Sequence, residues 1–178
     1  MFKQAKGITL VSLVITIIVM LILAGVSLSM VMGENSVLDQ ATQAVDETER
    51  GTVKDEISMG VGSVQTKYFA QYSSTTGRES MYNILTSTTH DANKGIVISD
   101  FANASTVELF PTDPASDKVL LKYTHTNGNV YEAEITVGDT SLTVGETVCV
   151  SRASGGTSLD GASVASSYAT TAITSVSK

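Results

Sequence analysis

The chain is poor in several residue types on which extracellular stability and metal chemistry often depend. Among its 178 residues there are no Trp, one Cys and two Pro, and aromatic residues make up only 6%. The single Cys149 excludes an internal disulfide and a cage of thiolate metal ligands. The length leaves room for one ordinary domain with an anchor, and the few aromatic residues predict a modest core.

Basic residues are scarce as well. The chain has 11 Lys and Arg against 18 Asp and Glu, which gives a net charge of −7. Such a chain lacks the positive surface that binds a phosphate backbone, so we expect no nucleic acid partner for the chain by itself. A hydrophobic content of 42% with only 16% charged residues excludes a disordered polyampholyte.

Apolar sequence is concentrated near the amino terminus. No ionisable side chain occurs from Gly7 to Gly33. About 25 helical residues span about 38 Å, enough to cross a hydrocarbon core of about 30 Å. Apolar residues lie on every side of this predicted helix, a pattern that suits lipid or a dense helix bundle. Lys3 and Lys6 precede it and favour a cytoplasmic amino terminus, with the rest of the chain outside.

Three interpretations of this segment compete. A secretory signal has a shorter apolar region and a small-residue cleavage site, for which residues 24–27 offer candidates. A plain signal anchor fits the hydropathy equally well. The third interpretation also accounts for the junction Lys6-Gly7-Ile8, where a basic residue and a glycine adjoin the apolar block without a spacer.

The segment KGITLVSLVITIIVMLILAGV resembles the processing site and first helix of type IV prepilins. The resemblance implies that residues 1–7 are a leader carrying Lys3 and Lys6. It implies that a prepilin peptidase cleaves between Gly7 and Ile8 and that Ile8 is then methylated. A glycine at this point lets the peptidase approach the backbone closely. The expected partners are the lipid bilayer before assembly, an inner-membrane assembly platform, and identical or related pilin subunits.

One position departs from the family pattern. Most type IV pilins carry Glu at the fifth mature position, where it neutralises the terminal amine of a neighbouring subunit. Counted from Ile8, that position is Ser12, whose hydroxyl accepts a hydrogen bond but supplies no charge. The difference leaves open a minor or pseudopilin-type subunit, or a branch that assembles without the acid. The plain alternative is that Ser12 is a tolerated small residue whose hydroxyl forms a hydrogen bond within its own helix.

Residues 34–72 predict a second, amphipathic helix after the membrane segment at 8–33. Ser36 and Asp39 have the spacing of a capping box at its start. Apolar residues recur at mostly three- and four-residue intervals and predict a stripe that packs on a sheet. The stripe comprises Leu38, Ala41, Val45, Val53, Ile57, Val61, Val64, Tyr68 and Tyr72. We interpret the charged residues between positions 46 and 56 as the solvated face of this helix.

Residues 73–150 predict a β-rich head with one short helix within 78–85. Short strands are expected at 95–98 and 106–110. The strongest pair is 118–125 with 130–137, joined through Asn127-Gly128, the preferred signal of a type I′ turn. A second hairpin is predicted from 141–144 to 147–150 through Gly145. The tail at 151–178 is rich in Ser, Thr, Ala and Gly, and we expect it to be mobile, with an edge extension of the head as the alternative.

No catalytic or cofactor motif stands out in this sequence. His90 and His125 are distant in sequence, and neither lies near Cys149 in a pattern that predicts a nucleophile and base or a metal site. We therefore expect no enzyme activity, no cofactor and no metal. The predicted fold is α+β: a long amino-terminal helix, transmembrane and then amphipathic, packed on a small antiparallel sheet.

The predicted function is that of a structural subunit of a type IV pilus or pseudopilus-like filament. The protein would lie in the cell membrane before assembly and at the cell surface afterwards, with its head outside the cytoplasm. The alternative is a single-span, membrane-anchored binding module or adhesin, including a minor pilin at a filament tip. Replacement of Gly7 separates the two, because only a pilin requires processing there.

Overall fold

A computed structural model describes residues 5–32, 37–71, 79–112, 117–153 and 168–178. Within these ranges, side chains are described from Leu10 to Met30 and from Gln40 onward. The chain divides into two compact units, Met1–Thr48 and Glu49–Lys178. The described residues form a long apolar helix near the amino terminus and a five-stranded antiparallel sheet in the second unit, an α+β arrangement.

Two long helices occupy the first part of the chain, as predicted. Helix α1 runs over Ala5–Met32 and helix α2 over Val37–Ala70. Helix α1 contains no helix-breaking proline and no charged residue after Lys6. The predicted capping box lies outside the described side chains, and Tyr72 lies outside the described residues.

Helix α2 buries one face in the core of the second unit. Its buried apolar residues recur every three or four positions, as expected for a single helix face: Val53, Ile57, Val61, Val64 and Tyr68. Gly60 lies on the same side, where the ring of Phe101 occupies the space that a Cβ would need. The prediction that Val45 belongs to the packing stripe is wrong, because its side chain is 65% exposed.

The sheet has the strand order β4-β3-β2-β1-β5, and all neighbouring strands are antiparallel. The strands are β1 (Ala104–Pro111), β2 (Lys118–His125), β3 (Val130–Val137), β4 (Leu142–Ser151) and β5 (Thr174–Ser177). A row of cross-strand partners, Val107, Tyr123, Tyr131 and Cys149, runs across β1 to β4. All four are buried in the core that also holds the apolar face of α2.

The hairpin between β2 and β3 has the predicted strands but a different turn. Only Gly128 has a positive φ, of 90°, so Asn127 does not adopt the left-handed conformation that a type I′ turn requires. The Gly128 amide donates to the His125 carbonyl at 2.9 Å, and the His125 amide donates to the Asn129 carbonyl at 2.8 Å. This pattern is typical of a three-residue loop whose last residue is a left-handed glycine.

The predicted second hairpin is a single strand. Both halves of β4 pair with β3: Thr143 opposes Thr136 and Thr147 opposes Ala133. Two residues of β4, Gly145 and Glu146, fall opposite one residue of β3, which makes this site a β-bulge. The prediction of a turn here is wrong because β3 is long enough to pair on both sides of Gly145.

The region before the sheet also differs from expectation. The short helix α3 spans Met81–Leu85, with the Ser80 hydroxyl accepting a hydrogen bond from the Asn83 amide. The predicted strand at 95–98 is absent from the described residues and is replaced by a loop and a 3₁₀ turn at Ile98–Asp100. Gly95, at a φ of 70°, donates its amide to the Ile84 carbonyl and so closes this loop against α3.

The expectation of a mobile tail is wrong for its last residues. Strand β5 pairs with β1, and its Val176 is buried against the core. The segment before it is held by backbone bonds from Ala169 to Pro111 and from Ile173 to Leu109. Residues 154–167 lie outside the described residues. The end of the chain is therefore the edge extension that stood as the alternative.

Candidate functional site

From Leu10 to Met30, helix α1 presents an uncharged and largely apolar surface on all sides. The stretch Leu10–Met30 is long and apolar enough to cross a membrane, and every residue in it is exposed in the isolated chain. The Thr16 hydroxyl donates to the carbonyls of Ser12 and Leu13 at 3.1 and 2.8 Å. Because this hydroxyl is satisfied within its own helix, its transfer into lipid or a helix bundle costs little.

The predicted processing residues lie at the start of this helix. Lys6, Gly7 and Ile8 belong to the helical backbone of α1, and Lys3 lies outside the described residues. Ser12 lies one helical turn after Ile8, with an exposed side chain. The helix thus places the predicted cleavage bond and the predicted assembly position within its first eight residues.

Glu56 of α2 is a buried acid that ties the helix to the sheet. Its side chain is 4% exposed, and its carboxylate accepts hydrogen bonds from the Tyr123 hydroxyl at 2.5 Å and the Asn103 amide at 3.1 Å. The Asn103 side chain donates to it as well. Burial, followed by the bond to Glu56, raises the pKa of Tyr123 far above its ordinary value. Tyr123 therefore serves as a hydrogen-bond donor at any physiological pH.

Glu49, also on α2, holds the tip of the β2–β3 hairpin. Its Oε1 accepts hydrogen bonds from Asn127 Nδ2 at 2.8 Å, Asn129 Nδ2 at 3.0 Å and the Tyr131 hydroxyl at 2.7 Å. Burial alone raises the pKa of Glu49, but these bonds and the nearby His125 outweigh it and lower the pKa. The carboxylate is thus stabilised in its charged form.

These two acids correct the interpretation of the charge run as a solvated face. Glu49 and Glu56 are seven residues apart, which places them on one side of the helix beside the buried Val53. This seven-residue spacing is the feature of the sequence that indicates their position on the same side of the helix as Val53. The sequence did not reveal their partners, because Asn103, Tyr123 and the hairpin tip approach α2 only through the sheet.

A third acid binds the carboxyl-terminal segment to the opposite side of the sheet. Glu134 accepts hydrogen bonds from the Tyr168 hydroxyl at 2.5 Å and from Lys118 Nζ at 2.6 Å. The bond from Lys118, then that from Tyr168, lowers the pKa of Glu134. Each of the three acids therefore has structural partners and holds one part of the head to another.

The residues with the most reactive side chains are dispersed. His90 bonds to the Ile96 carbonyl and the Thr174 hydroxyl, at 3.0 and 3.1 Å, whereas His125 bonds to the Asn127 amide at 3.1 Å. Cys149 is buried and contacts the Ser151 carbonyl at 3.7 Å. Among the described residues, no three His, Cys, Asp or Glu side chains are grouped so that they could hold a metal ion.

Known proteins provide no family assignment. No protein-family model matches the chain, and no curated protein or solved structure shows significant similarity to it. The described residues comprise an apolar helix long enough to span a membrane and a unit with an α+β arrangement.

Proposed function

We propose that the protein is a structural subunit of a type IV pilus or pseudopilus-like filament at the cell surface. The observation that carries the proposal is the junction Lys6-Gly7-Ile8 at the start of a helix that has no charged residue after Lys6 and whose apolar side chains are all exposed from Leu10 to Met30. A helix of this kind is stable only in lipid or against other helices.

The mechanism is assembly. Before assembly, α1 lies in the bilayer with the amino terminus in the cytoplasm, because Lys3 and Lys6 precede the apolar block. After cleavage at Gly7, the helix leaves lipid and packs against the same helix of neighbouring subunits. Burial among helices gains little over burial in lipid, so side-chain packing and an assembly motor must drive the transfer.

The second unit suits the exposed position of a filament head. Glu49 and Glu56 tie α2 to the sheet, and Glu134 ties Tyr168 of the carboxyl-terminal segment to it. No disulfide contributes, since the chain has only one Cys. Ser12 at the usual acidic position favours a minor or pseudopilin-type subunit, because its hydroxyl cannot neutralise the terminal amine of a neighbour.

The test is the amino-terminal peptide of the native protein, identified by mass spectrometry in sheared-surface and membrane fractions. A peptide that begins at methylated Ile8 in the sheared fraction is the expected result. An intact Met1 terminus confined to membranes would instead identify a single-span anchored binding module.

A Gly7→Leu variant sharpens this test. It should remain uncleaved and stay in the membrane if the protein is a prepilin, whereas a simple anchor should tolerate the change. Ala5→Leu is the matched control, because it adds the same side chain outside the cleaved bond.

A further inference from the structure

The sequence contains one Asn-Gly pair, Asn127-Gly128, and it lies at the tip of the β2–β3 hairpin. Both residues are exposed to solvent. In such a pair the side-chain amide of the asparagine can react with the backbone nitrogen of the glycine, because glycine has no side chain to obstruct the approach. The pair is therefore chemically labile wherever both groups are free to move.

The fold requires the glycine that makes the pair labile. Gly128 has a φ of 90°, a conformation that side chains other than glycine rarely adopt. A Cβ at this position would lie 2.7 Å from the Ala153 Cβ, closer than ordinary contact allows. Because no side chain fits at position 128, protection of the pair must come from the contacts around it.

Hydrogen bonds hold both of the groups that would react. The Gly128 amide donates to the His125 carbonyl at 2.9 Å. Asn127 Nδ2 donates to Glu49 Oε1 at 2.8 Å, and Asn127 Oδ1 accepts a bond from the Asn129 amide at 2.9 Å. Reaction requires the glycine nitrogen to lose its proton and the side-chain amide to turn toward it. The tip must therefore open locally before the pair can react.

Glu49 holds this tip from outside the turn. Its Oε1 accepts bonds from Asn129 and Tyr131 as well, so one carboxylate of α2 fixes three side chains of the hairpin. We propose that Asn127 is a site of spontaneous deamidation that Glu49 keeps closed, and that the deamidated residue releases the hairpin tip from α2. The inference is independent of the filament role, because every contact involved lies within one subunit.

The reaction needs only the chain and water. The Gly128 nitrogen loses its proton and forms a bond to Asn127 Cγ, while Nδ2 takes up a proton and leaves as ammonia. Water then adds to one of the two carbonyl carbons of the resulting five-membered ring and breaks the bond from that carbon to the ring nitrogen. Opening at Cγ gives aspartate, and opening at the backbone carbonyl gives isoaspartate.

Either product disturbs the contact with Glu49. A carboxylate replaces the amide that donated to Glu49 Oε1 at 2.8 Å. Burial alone raises the pKa of Glu49, but the hydrogen bonds to it outweigh burial and lower the pKa, so Glu49 is charged at neutral pH. Two carboxylates at this distance repel each other. Isoaspartate also adds a carbon to the backbone where Gly128 already lies close to Ala153.

Peptide mass spectrometry of the full chain in detergent measures the conversion of Asn127 at mildly alkaline pH. The folded protein should convert far more slowly than the same protein unfolded in urea. Glu49→Ala, incubated below its thermal unfolding transition, should convert about tenfold faster than wild type, the equivalent of about 1.4 kcal/mol lost from the closed tip. Glu47→Ala, at an exposed position of the same helix, is the control and should convert at the wild-type rate.

Two results of this experiment would overturn the proposal. Equal rates for wild type in buffer and in urea would show that the fold gives no protection. Equal rates for wild type and Glu49→Ala would show that Glu49 does not keep the site closed.

The substitution Asn127→Asp tests the release of the tip without the reaction. Protection of the His125 and Gly128 amides from hydrogen exchange at neutral pH should fall about tenfold. Adding Glu49→Gln should restore most of it, because glutamine removes one of the two charges and offers a donor to the other. Wild-type protection in Asn127→Asp would show that the tip stays attached to α2 and would overturn the proposed release.

Discussion

The hydroxyl of Tyr123 lies 2.5 Å from Glu56 Oε2, and both residues are almost completely excluded from solvent. The bond joins the second strand of the sheet to the helix beneath it. A buried carboxylate is tolerated here because Asn103 provides further donors to the same group. Helix and sheet are thus held in register by a polar contact within an otherwise apolar core.

Tyr123→Phe should lower the free energy of unfolding by about 1–3 kcal/mol, because it removes one donor from a buried carboxylate. Urea unfolding of the full chain in detergent measures the change. Tyr82→Phe, at a partly buried ring outside this network, is the control and should have a smaller effect. Equal effects of the two substitutions would show that the bond to Glu56 contributes little.

Acid should weaken the contact between α2 and the β2–β3 hairpin. Hydrogen bonds to Glu49 lower its pKa in the folded state below the ordinary value of 4.5. As the pH falls below 4.5, the unfolded chain takes up this proton before the folded chain does, so stability is lost. The stability that the charged Glu49 contributes is fully present above pH 4.5.

The Glu49→Gln variant should therefore lose less stability than wild type between pH 6 and pH 3, as measured by urea unfolding at each pH. Glu47→Gln, at an exposed position two residues earlier, is the control and should keep the wild-type slope. An unchanged slope for Glu49→Gln would exclude Glu49 as a source of the acid sensitivity.

Substitution by alanine should have opposite effects on stability at two glycines of α2. Gly60→Ala should destabilise the protein by about 1–3 kcal/mol, because the new methyl group overlaps the ring of Phe101. Gly51→Ala should stabilise it by about 0.5–1 kcal/mol, since nothing lies near the added carbon and alanine favours a helix. Thermal unfolding of the two variants measures both shifts, and a loss of stability in both would contradict the described surroundings of Gly51.

The last strand should contribute to stability although its sequence suggests a mobile tail. Val176→Asp should cost about 2–4 kcal/mol, because it places an unpaired charge in the core beside β1. Ser177→Asp, exposed on the same strand, should change stability by no more than about 0.5 kcal/mol. Limited proteolysis gives an independent readout: only the Val176 variant should be cut rapidly near its carboxyl end.

A charge in the middle of α1 tests the proposed placement of this helix in lipid or in a filament. Leu21→Asp introduces a side chain that costs about 3 kcal/mol at the centre of a membrane helix. Recovery in membranes and in sheared filaments should both fall, as measured by immunoblotting of the two fractions. Leu21→Ile preserves the apolar character and should match wild type, and normal filament recovery of the Asp variant would contradict the assembly mechanism.

Local sequence predicted the elements whose signals lie within a few residues. The uncharged run predicted helix α1. The alternation of apolar and polar residues predicted strands β2 and β3, with the same first and last residues as in the structure. Predictions failed where a distant partner decided the conformation. Gly145 resembles a turn, but β3 pairs on both sides of it, and residues 95–98 have strand-like composition yet join no strand of the described sheet.

The sequence by itself determined a helix that is long and apolar enough to span a membrane, because no ionisable group interrupts residues 8–32. It also determined the strong hairpin, whose strands carry their own periodicity. Only the tertiary structure decided that Glu49 and Glu56 hold the head together and that the chain end completes the sheet. These contacts join residues far apart in sequence, and their stability depends on burial and geometry that no local pattern contains.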